Sequence, residues 1–398
     1  MGSLLEWPLL SDKYEIQDTV HGTITIFHPL DLVIDTREFQ RLRDIKQLGV
    51  AYLVYPCSTH SRFEHSLGLF HLATQFFTAS EDEHLISLIS LIWVKVHCSE
   101  YFWSIYNGCF YFQYKSLSIR LLQRIVKKEE VRKALERYFG TGADFDESNE
   151  NMTFIEKLIS SERFDANGKW LPGDRPVEKA FLYDIVANEN DSCDVGKFDY
   201  LIRDSLSAGI PIPFNQRSIK QLMENARVLS DPERGFPRIC YPEKIADVVL
   251  SIGDSRQKLH NLLYRHRVVR AIEEMVVRAL RLADRHLRYM GDDGRFYSLS
   301  EMPQNLGAFI KTSDSILKEI ANSTLPEMAE AQNILRDIEE RNLPVKLDEV
   351  QCGSSWVDKP HASFMGKTPK LRDVEARLFF NALLFPIDMR SCYNSRGA

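Results

Sequence analysis

The stretch Cys57-Ser58-Thr59-His60-Ser61-Arg62-Phe63-Glu64-His65-Ser66-Leu67-Gly68 reads as a turn that opens a helix. Ser61 supplies an N-cap hydroxyl and Glu64, three residues on, can cap back, the pattern of a capping box. Phe63, Leu67, Phe70 and Phe77 follow at spacings near a helical period and predict an apolar stripe. Arg62 and His65 are three apart and share one face of the predicted helix. A cationic donor and an imidazole on a rigid helix suit a metal or phosphate site. A core histidine bonded to backbone is the competing reading.

Upstream, Val20-His21-Gly22 leads into the alternating Thr23-Ile24-Thr25-Ile26, a short half-buried strand. The next segment, Asp35 to Gly49, reads as a helix with Asp35 as N-cap, Glu38 as the partner in a second capping box, and Gly49 as its end. Phe39, Leu42 and Ile45 form its buried stripe. The longest helical pattern runs from about residue 255 to residue 290. Leu259, Leu263, Val269, Ile272, Val276 and Leu282 lie on one side of it, and Arg256, Lys258, Arg265, Arg267, Arg270, Arg278, Arg281, Arg285 and Arg288 on the other. Turn-forming residues predict loops at 140–151, 167–176, 231–237 and 291–294.

A set of ordered segments carries a resemblance. They are Asp18-Thr19-Val20-His21-Gly22, Phe39-Gln40-Arg41-Leu42-Arg43, Ile45-Lys46-Gln47-Leu48-Gly49, Arg62-Phe63-Glu64-His65-Ser66-Leu67-Gly68, and Asp194-Val195-Gly196-Lys197-Phe198-Asp199-Tyr200 with Arg203-Asp204. Leu259-His260 with Tyr264 and His266, and Ile338-Glu339-Glu340-Arg341-Asn342-Leu343, complete the series. Together they resemble the HD-domain deoxynucleoside triphosphate triphosphohydrolases, in particular the animal branch that joins a sterile-alpha-motif domain to an HD domain. The resemblance implies a mainly α fold: a helical HD-domain bundle with a few short strands and a small α+β C-terminal lobe. It implies a boundary after an N-terminal extension of residues 1–13, an HD-domain region over 14–345, and a divergent tail over 346–398. No sterile-alpha-motif domain is expected in the first of these.

The implied chemistry is water attack at the α-phosphate of a dNTP, releasing deoxynucleoside and triphosphate. In the family an isolated histidine, a His-Asp doublet and a later aspartate hold a divalent or transition metal (Zn, Fe, Mn or Mg), which polarises phosphate and lowers the pKa of a bound water. His65 fills the first ligand position. No His-Asp doublet exists anywhere in the chain; its expected place, near residues 92–98, reads Ile92-Trp93-Val94-Lys95-Val96-His97-Cys98. The position of the final metal aspartate is Gly196. A single imidazole is expected not to retain a catalytic metal. His97, Asp194 and Asp199 are the substitutes at hand, and helical geometry turns the last two away from the required position. The aromatic-dense block 93–114 is atypical of the family. It fits either an inactive paralogue or an alternative transcript with a replaced exon, and transcript reads joining residues 85–120 as written would exclude the second.

The resemblance also assigns a substrate pocket. Gln47 and Leu48 line its deoxyribose side, Arg62 and Lys197 contact phosphates, and Tyr200, Asp204 and Tyr264 shape the sugar pocket, with Arg265 departing from the family's glutamine. Asp35, Gln40 and Arg43 match guanine-effector positions and Arg341 an effector-phosphate contact. The basic residues expected at Ser218, Pro242, Leu262 and Val345 are absent, and the lysine expected at Tyr14 stands one place off, at Lys13. Weak effector binding follows. The implied partners are dNTP and GTP nucleotides and either a homo-oligomer (dimer or tetramer) or a hetero-oligomer with a paralogue.

The 398 residues carry a formal net charge of −6, which disfavours a general affinity for polyanions and leaves nucleic-acid binding to the arginine-rich face of residues 256–288. Seven scattered cysteines predict free thiols in a reducing compartment. The most apolar window, residues 85–94, is too short to span a bilayer. The expected setting is intracellular, the nucleus by family resemblance or the cytosol.

Overall fold

A computed structural model describes residues 13–77, 114–139, 150–160, 164, 176–188, 191, 193–231 and 235–344. Residues 1–12 of the N-terminal extension, residues 93–113 of the atypical block 93–114 with His97, the apolar window 85–94, residues 140–149 and 167–175 of two predicted loops, and the tail from 345 lie outside these residues. The chain divides into two units, Met1–Leu343 and Pro344–Ala398. All described residues but Pro344 belong to the first.

Among the described residues the architecture is mainly α with three two-stranded antiparallel hairpins. Strands β1 (Lys13–Asp18) and β2 (Gly22–Phe27) pair in register from Asp18 opposite Gly22 to Lys13 opposite Phe27. The alternation read in the sequence is real: Ile24 and Ile26 are fully buried. Helices α1 (Leu30–Ile34) and α2 (Arg37–Gln40) are short, and the 16-residue α3 (Arg62–Phe77) begins where Ser61 predicted. Then come α4 (Tyr114–Val126), α5 (Glu129–Phe139), α6 (Glu150–Ser160), α7 (Leu182–Val186), α8 (Val195–Ala208) and α9 (Gln216–Asn225). Hairpin β3 (Arg227–Asp231) and β4 (Phe236–Cys240) leads to α10 (Ala246–Leu259) and α11 (Arg267–Ala283). A small last hairpin, β5 (Tyr289–Met290) with β6 (Phe296–Tyr297), precedes α12 (Leu306–Phe309), α13 (Ile316–Ala321) and α14 (Ala329–Glu339).

The core sits where α3 packs on α8 and α8 on α10, with α11 against α14. Phe63, Leu67 and Phe70 of the α3 stripe are buried, each contributing roughly 2 kcal/mol of apolar transfer. At the start of α3 the Glu64 N–H donates to Ser61 Oγ at 3.4 Å, and the Ser61 hydroxyl donates to Glu64 Oε1 at 3.1 Å. The cap is thus made by two side chains meeting rather than by Glu64 reaching back to the Ser61 backbone.

Three sequence expectations change. The predicted 35–49 helix is broken: Thr36, not Asp35, accepts the capping bond from Phe39 N–H, and Asp35 instead ends α1. After α2 a 3-10 turn (Arg41–Asp44) gives way to extended backbone at Ile45, and Gly49 opens a further 3-10 turn. The stripe Phe39, Leu42, Ile45 is buried nonetheless, because tertiary contacts fix it without a continuous helix. The predicted 255–290 helix is interrupted by a π turn at His260–Tyr264 and resumes at Arg267. The predicted 231–237 loop is the tip of the β3–β4 hairpin, whose strands take its two ends.

Glu38 does not cap a helix. Its buried carboxylate accepts from Arg124 Nε at 2.9 Å and Lys128 Nζ at 2.6 Å, tying α2 to α4 and the turn that follows it. Burial pushes the Glu38 pKa up, but these cations and backbone donation outweigh it and hold the value below the usual one. A depressed carboxyl contributes stability that is present above about pH 4.3 and lost as pH falls through its folded pKa. Glu38→Gln is therefore expected to be less stable than wild type at pH 7, with the gap closing below pH 4. A gap in melting temperature that stays constant from pH 7 to pH 3 would refute this.

Among the described residues Cys57 is exposed, Cys240 partly buried and Cys193 buried, all as free thiols. Burial first, then the Asp191 and Asp194 charges, push the Cys193 thiol well up. No helix among the described residues is long and apolar enough to cross a membrane.

Candidate functional site

Two linked groups of buried polar side chains lie between α3, α8 and the β1–β2 turn. In the first, Asp18 closes the turn by accepting from Val20 N–H at 2.9 Å and His21 N–H at 2.8 Å. This aims His21 at α8, where its Nε2 meets Asp199 Oδ1 at 2.7 Å. His65, from the first turns of α3, meets Asp199 Oδ2 through Nδ1 at 2.6 Å. Arg203, one helical turn after Asp199, donates to it through Nε at 2.9 Å and Nη2 at 2.8 Å, and to Asp18 through Nη1 at 2.8 Å. Asp199 and Arg203 are 0% and 1% exposed, so the cluster is an ion network sealed from water.

The charges follow from those contacts. Burial alone would raise the Asp199 pKa, but the Arg203 guanidinium and the bonds from His21, His65 and Arg203 hold it well below the usual carboxylate range. Burial likewise opposes charge on Arg203, and Asp199 and Asp18 more than offset it. Burial lowers the His65 pKa, only partly countered by Asp199, so the imidazole is neutral near pH 7. Next to the cluster, His71 is pushed down to about 4 by burial and by His21, whose ring lies 5.4 Å away.

Gly68 makes the close packing possible. A Cβ there would fall 1.9 Å from Asp199 Oδ1 and 2.7 Å from an Arg203 nitrogen. Only a residue without a side chain lets α3 approach Asp199 this closely.

The second group is built on Asp204. Its Oδ1 meets His60 Nε2 at 2.8 Å and its Oδ2 accepts from the Tyr264 hydroxyl at 2.6 Å. Tyr200 and Tyr264 stand edge to face with ring centroids 6.4 Å apart. Asp194 caps α8, accepting from Lys197 N–H, and its second oxygen pairs with Lys197 Nζ at 3.0 Å. Burial disfavours the Lys197 ammonium, but Asp194 outweighs it and holds the pKa above its ordinary value. Burial raises the Tyr200 hydroxyl pKa, against Lys197 and Arg256 nearby.

Of the substrate-pocket residues read from sequence, Tyr200, Asp204 and Tyr264 come together, and Lys197 lies close enough to Tyr200 to act on its charge. Gln47 joins them through backbone, its N–H donating to His60 O at 2.9 Å. Leu48 is a buried core side chain. Arg62 is buried as well, at the Asp314 side, where with Lys46 and Arg41 it draws down a carboxyl that burial raises. Of the effector positions, Arg43 Nε donates to Gln40 Oε1 at 2.7 Å and its guanidinium lies over the Phe63 ring. Asp35 is exposed beside Tyr14, whose hydroxyl burial, Asp35 and Asp31 push up to about 12. Arg341, in a left-handed backbone conformation, bonds the Leu53 carbonyl.

Sequence reasoning weighed Asp199 only as a substitute metal ligand and did not foresee its bond to His65, the shortest of the cluster. It also left His60, Asp18, His21 and Arg203 without roles. The signal was available in the one-turn spacing of Asp199 and Arg203, which predicts an intrahelical ion pair. That this pair captures residues 18, 21 and 65 is not visible in spacing.

An imidazole whose Nδ1 is held by a carboxylate is the arrangement that orients a metal-ligating histidine, and His65 is held in that way by Asp199. Its companions do not follow. Gly196 offers no donor, Asp194 is spent on Lys197 and the helix cap, and Asp199 is neutralised by Arg203. Among the described residues no group of three His, Cys, Asp or Glu is placed to hold a metal ion. The donor set among the described residues does not fit a catalytic metal.

No protein-family model matches the chain. It is similar to deoxynucleoside triphosphate triphosphohydrolase SAMHD1 of Bos taurus, 34% identical over 358 residues that are 84% of this chain and 59% of the relative. The SAMHD1 homolog of Dictyostelium discoideum is 31% identical over 351 residues, 84% of this chain and 60% of the relative. A putative HD domain-containing protein of Acanthamoeba polyphaga mimivirus is 25% identical over 322 residues. The chain spans about six tenths of the length of the two SAMHD1 relatives. The helical bundle, the ordered motifs around His65 and Asp204, and this identity across most of the chain agree: it is a relative of the HD-domain deoxynucleoside triphosphate triphosphohydrolases.

Proposed function

We propose that this chain binds a deoxynucleoside triphosphate in the pocket formed by Gln47, Leu48, Arg62, Lys197, Tyr200, Asp204 and Tyr264, and that its capacity to hydrolyse the nucleotide is impaired. Family membership implies dependence on a divalent metal. The observation that carries the second half is the state of the ligand positions: His65 is oriented by Asp199, while Gly196 supplies no carboxylate and Arg203 neutralises the nearest one. The first half rests on the Asp204–Tyr264–Tyr200 group with Lys197 beside it, a polar and aromatic group next to a cation.

Purified full chain incubated with dGTP and manganese is expected to release no triphosphate above background and to carry well under one metal equivalent. One equivalent of metal with turnover would overturn the impairment. Binding of dGTP, measured by calorimetry, is expected to survive. No binding at millimolar nucleotide would overturn the pocket.

The effector positions support a further expectation. Asp35, Gln40 and Arg43 could read a guanine, but the cationic side chains for its triphosphate are missing at Ser218, Pro242 and Leu262. Adding dGTP is expected to leave the sedimentation coefficient unchanged, and a dimer-to-tetramer shift would refute this.

A regulatory role beside an active relative is the second reading, favoured by the same lost ligands; hetero-oligomers on co-expression would support it. Nucleic-acid binding draws less support. The arginine face is interrupted at His266, and Arg270, Arg278 and Arg288 pair with Glu273, Glu330 and Glu301.

A further inference from the structure

Strand β3 is the outer strand of its hairpin. Among the described residues it pairs only with β4, so one of its backbone edges has no strand beside it. Arg227 to Ser230 are all exposed, whereas Phe236, Arg238 and Ile239 of β4 are buried. The ribbon therefore holds β3 away from the core on both of its faces. Val228 and Leu229, at its middle, are apolar and yet 47% and 51% exposed. Proteins usually blunt such an edge with lysine, proline or a bulge. This strand has no lysine and no proline, and its register on β4 runs unbroken from Arg227 opposite Cys240 to Asp231 opposite Phe236.

The strand is also ordered in charge, with Arg227 first and Asp231 last. Arg227 lies along its own chain, donating through Nη1 to Glu224 O at 3.1 Å and Ala226 O at 2.7 Å. At the other end Asp231 and Asp191 share the Arg238 guanidinium, at 3.4 and 3.5 Å, two carboxylates on one cation. A second β3 laid antiparallel and centred on Leu229 sets Arg227 opposite the copy's Asp231 at both ends. Val228 then stands opposite Ser230, and Leu229 opposite itself. Opposite charges facing each other across two strands stabilise the pair, and like charges destabilise it. A parallel copy in the same register sets arginine beside arginine and aspartate beside aspartate, so the charges select the antiparallel arrangement.

We infer that the open edge of β3 is a docking surface for a second copy of this chain, the two β3 strands pairing antiparallel about Leu229 into one sheet ordered β4-β3-β3-β4. The contact is two-fold symmetric, so each self-complementary feature of the strand acts twice. Two five-residue strands bury less than a standard interface, so the dimer is weak and reversible. The pairing needs neither nucleotide nor metal and stands apart from the pocket.

The test is sedimentation velocity on the full chain without nucleotide, in a concentration series reaching the high micromolar range. Two double variants at exposed positions read the register. Val228→Glu with Ser230→Lys places opposite charges across both symmetry-related pairs, and Val228→Lys with Ser230→Lys places like charges there. Both remove the same apolar side chain, so a general loss of hydrophobic association affects them alike. Net charge works against the expected result: the chain is acidic, and added lysine alone would ease repulsion between copies. Wild type is expected to form a concentration-dependent dimer and the glutamate–lysine variant to keep it. The double-lysine variant is expected to dimerise at least about tenfold more weakly than the glutamate–lysine one. A wild type that stays monomeric throughout, or equal dimerisation by the two variants, overturns the inference. Should either variant not fold, Arg227→Glu takes its place, since it sets like charges at both ends of the paired strands. A weaker dimer than wild type then supports the pairing, and an unchanged one overturns it.

Discussion

Replacing Arg203 with methionine is expected to lower the melting temperature by about 10 °C. The reason is what the substitution leaves behind. Arg203 holds two carboxylates, Asp18 and Asp199, whose side chains are 4% and 0% exposed. Without the guanidinium both remain buried and like-charged, a situation that costs roughly 3–5 kcal/mol when one partner of a buried ion group is removed. Arg203→Lys should recover little, since an ammonium cannot present the fork that contacts Asp18 and Asp199 together. Arg278→Met is the control, because that arginine pairs with Glu330 on the exposed surface, where ion pairs contribute little. Equal melting temperatures for the Arg203 and Arg278 variants would show that the network does not hold α8 to the β1–β2 turn.

The second large effect is expected at Gly68. Alanine in a helix interior is ordinarily more stable than glycine by about 0.5–1 kcal/mol. Here its methyl carbon would sit 1.9 Å from Asp199 Oδ1, an impossible approach, and Asp199 cannot yield because His21, His65 and Arg203 all hold it. Overpacking of this kind typically costs 1–3 kcal/mol, and broken bonds in the network add to it, so Gly68→Ala is expected to destabilise by about 3 kcal/mol net. The sign should reverse when Asp199 is alanine, since the obstacle is then gone and the helix preference returns. A destabilisation of equal size in both backgrounds would place the clash elsewhere.

How far these effects were readable from sequence differs from element to element. The N-terminus of α3 was legible because capping is local: Ser61 and Glu64 are in reach of each other whatever the rest of the chain does. The stripe of Phe63, Leu67 and Phe70 was legible for the same reason, through helical periodicity. The segment 35–49 was not. Its capping letters fit two registers, and its backbone bends because long-range contacts compete with helix. Asp314 Oδ2 accepts from Lys46 N–H at 2.8 Å, and Glu38 is drawn to Arg124 and Lys128. The 255–290 pattern failed in the same way, since an amphipathic period continues unbroken across the π turn that presents Tyr264 to Asp204.

The amino-acid sequence alone determined the helical class, the resemblance to the family, the start of α3 and the glycine at position 196, because each is a matter of local pattern or of residue identity at a position. Only the tertiary structure decided that Asp199 meets His65, that Arg203 closes the ion network onto Asp18, and that His60 anchors Asp204. Those pairings join residues 134 to 185 positions apart. Side chains so distant come within bonding range only when the packing of α3 on α8 brings them there, and no period or spacing along the chain encodes that distance.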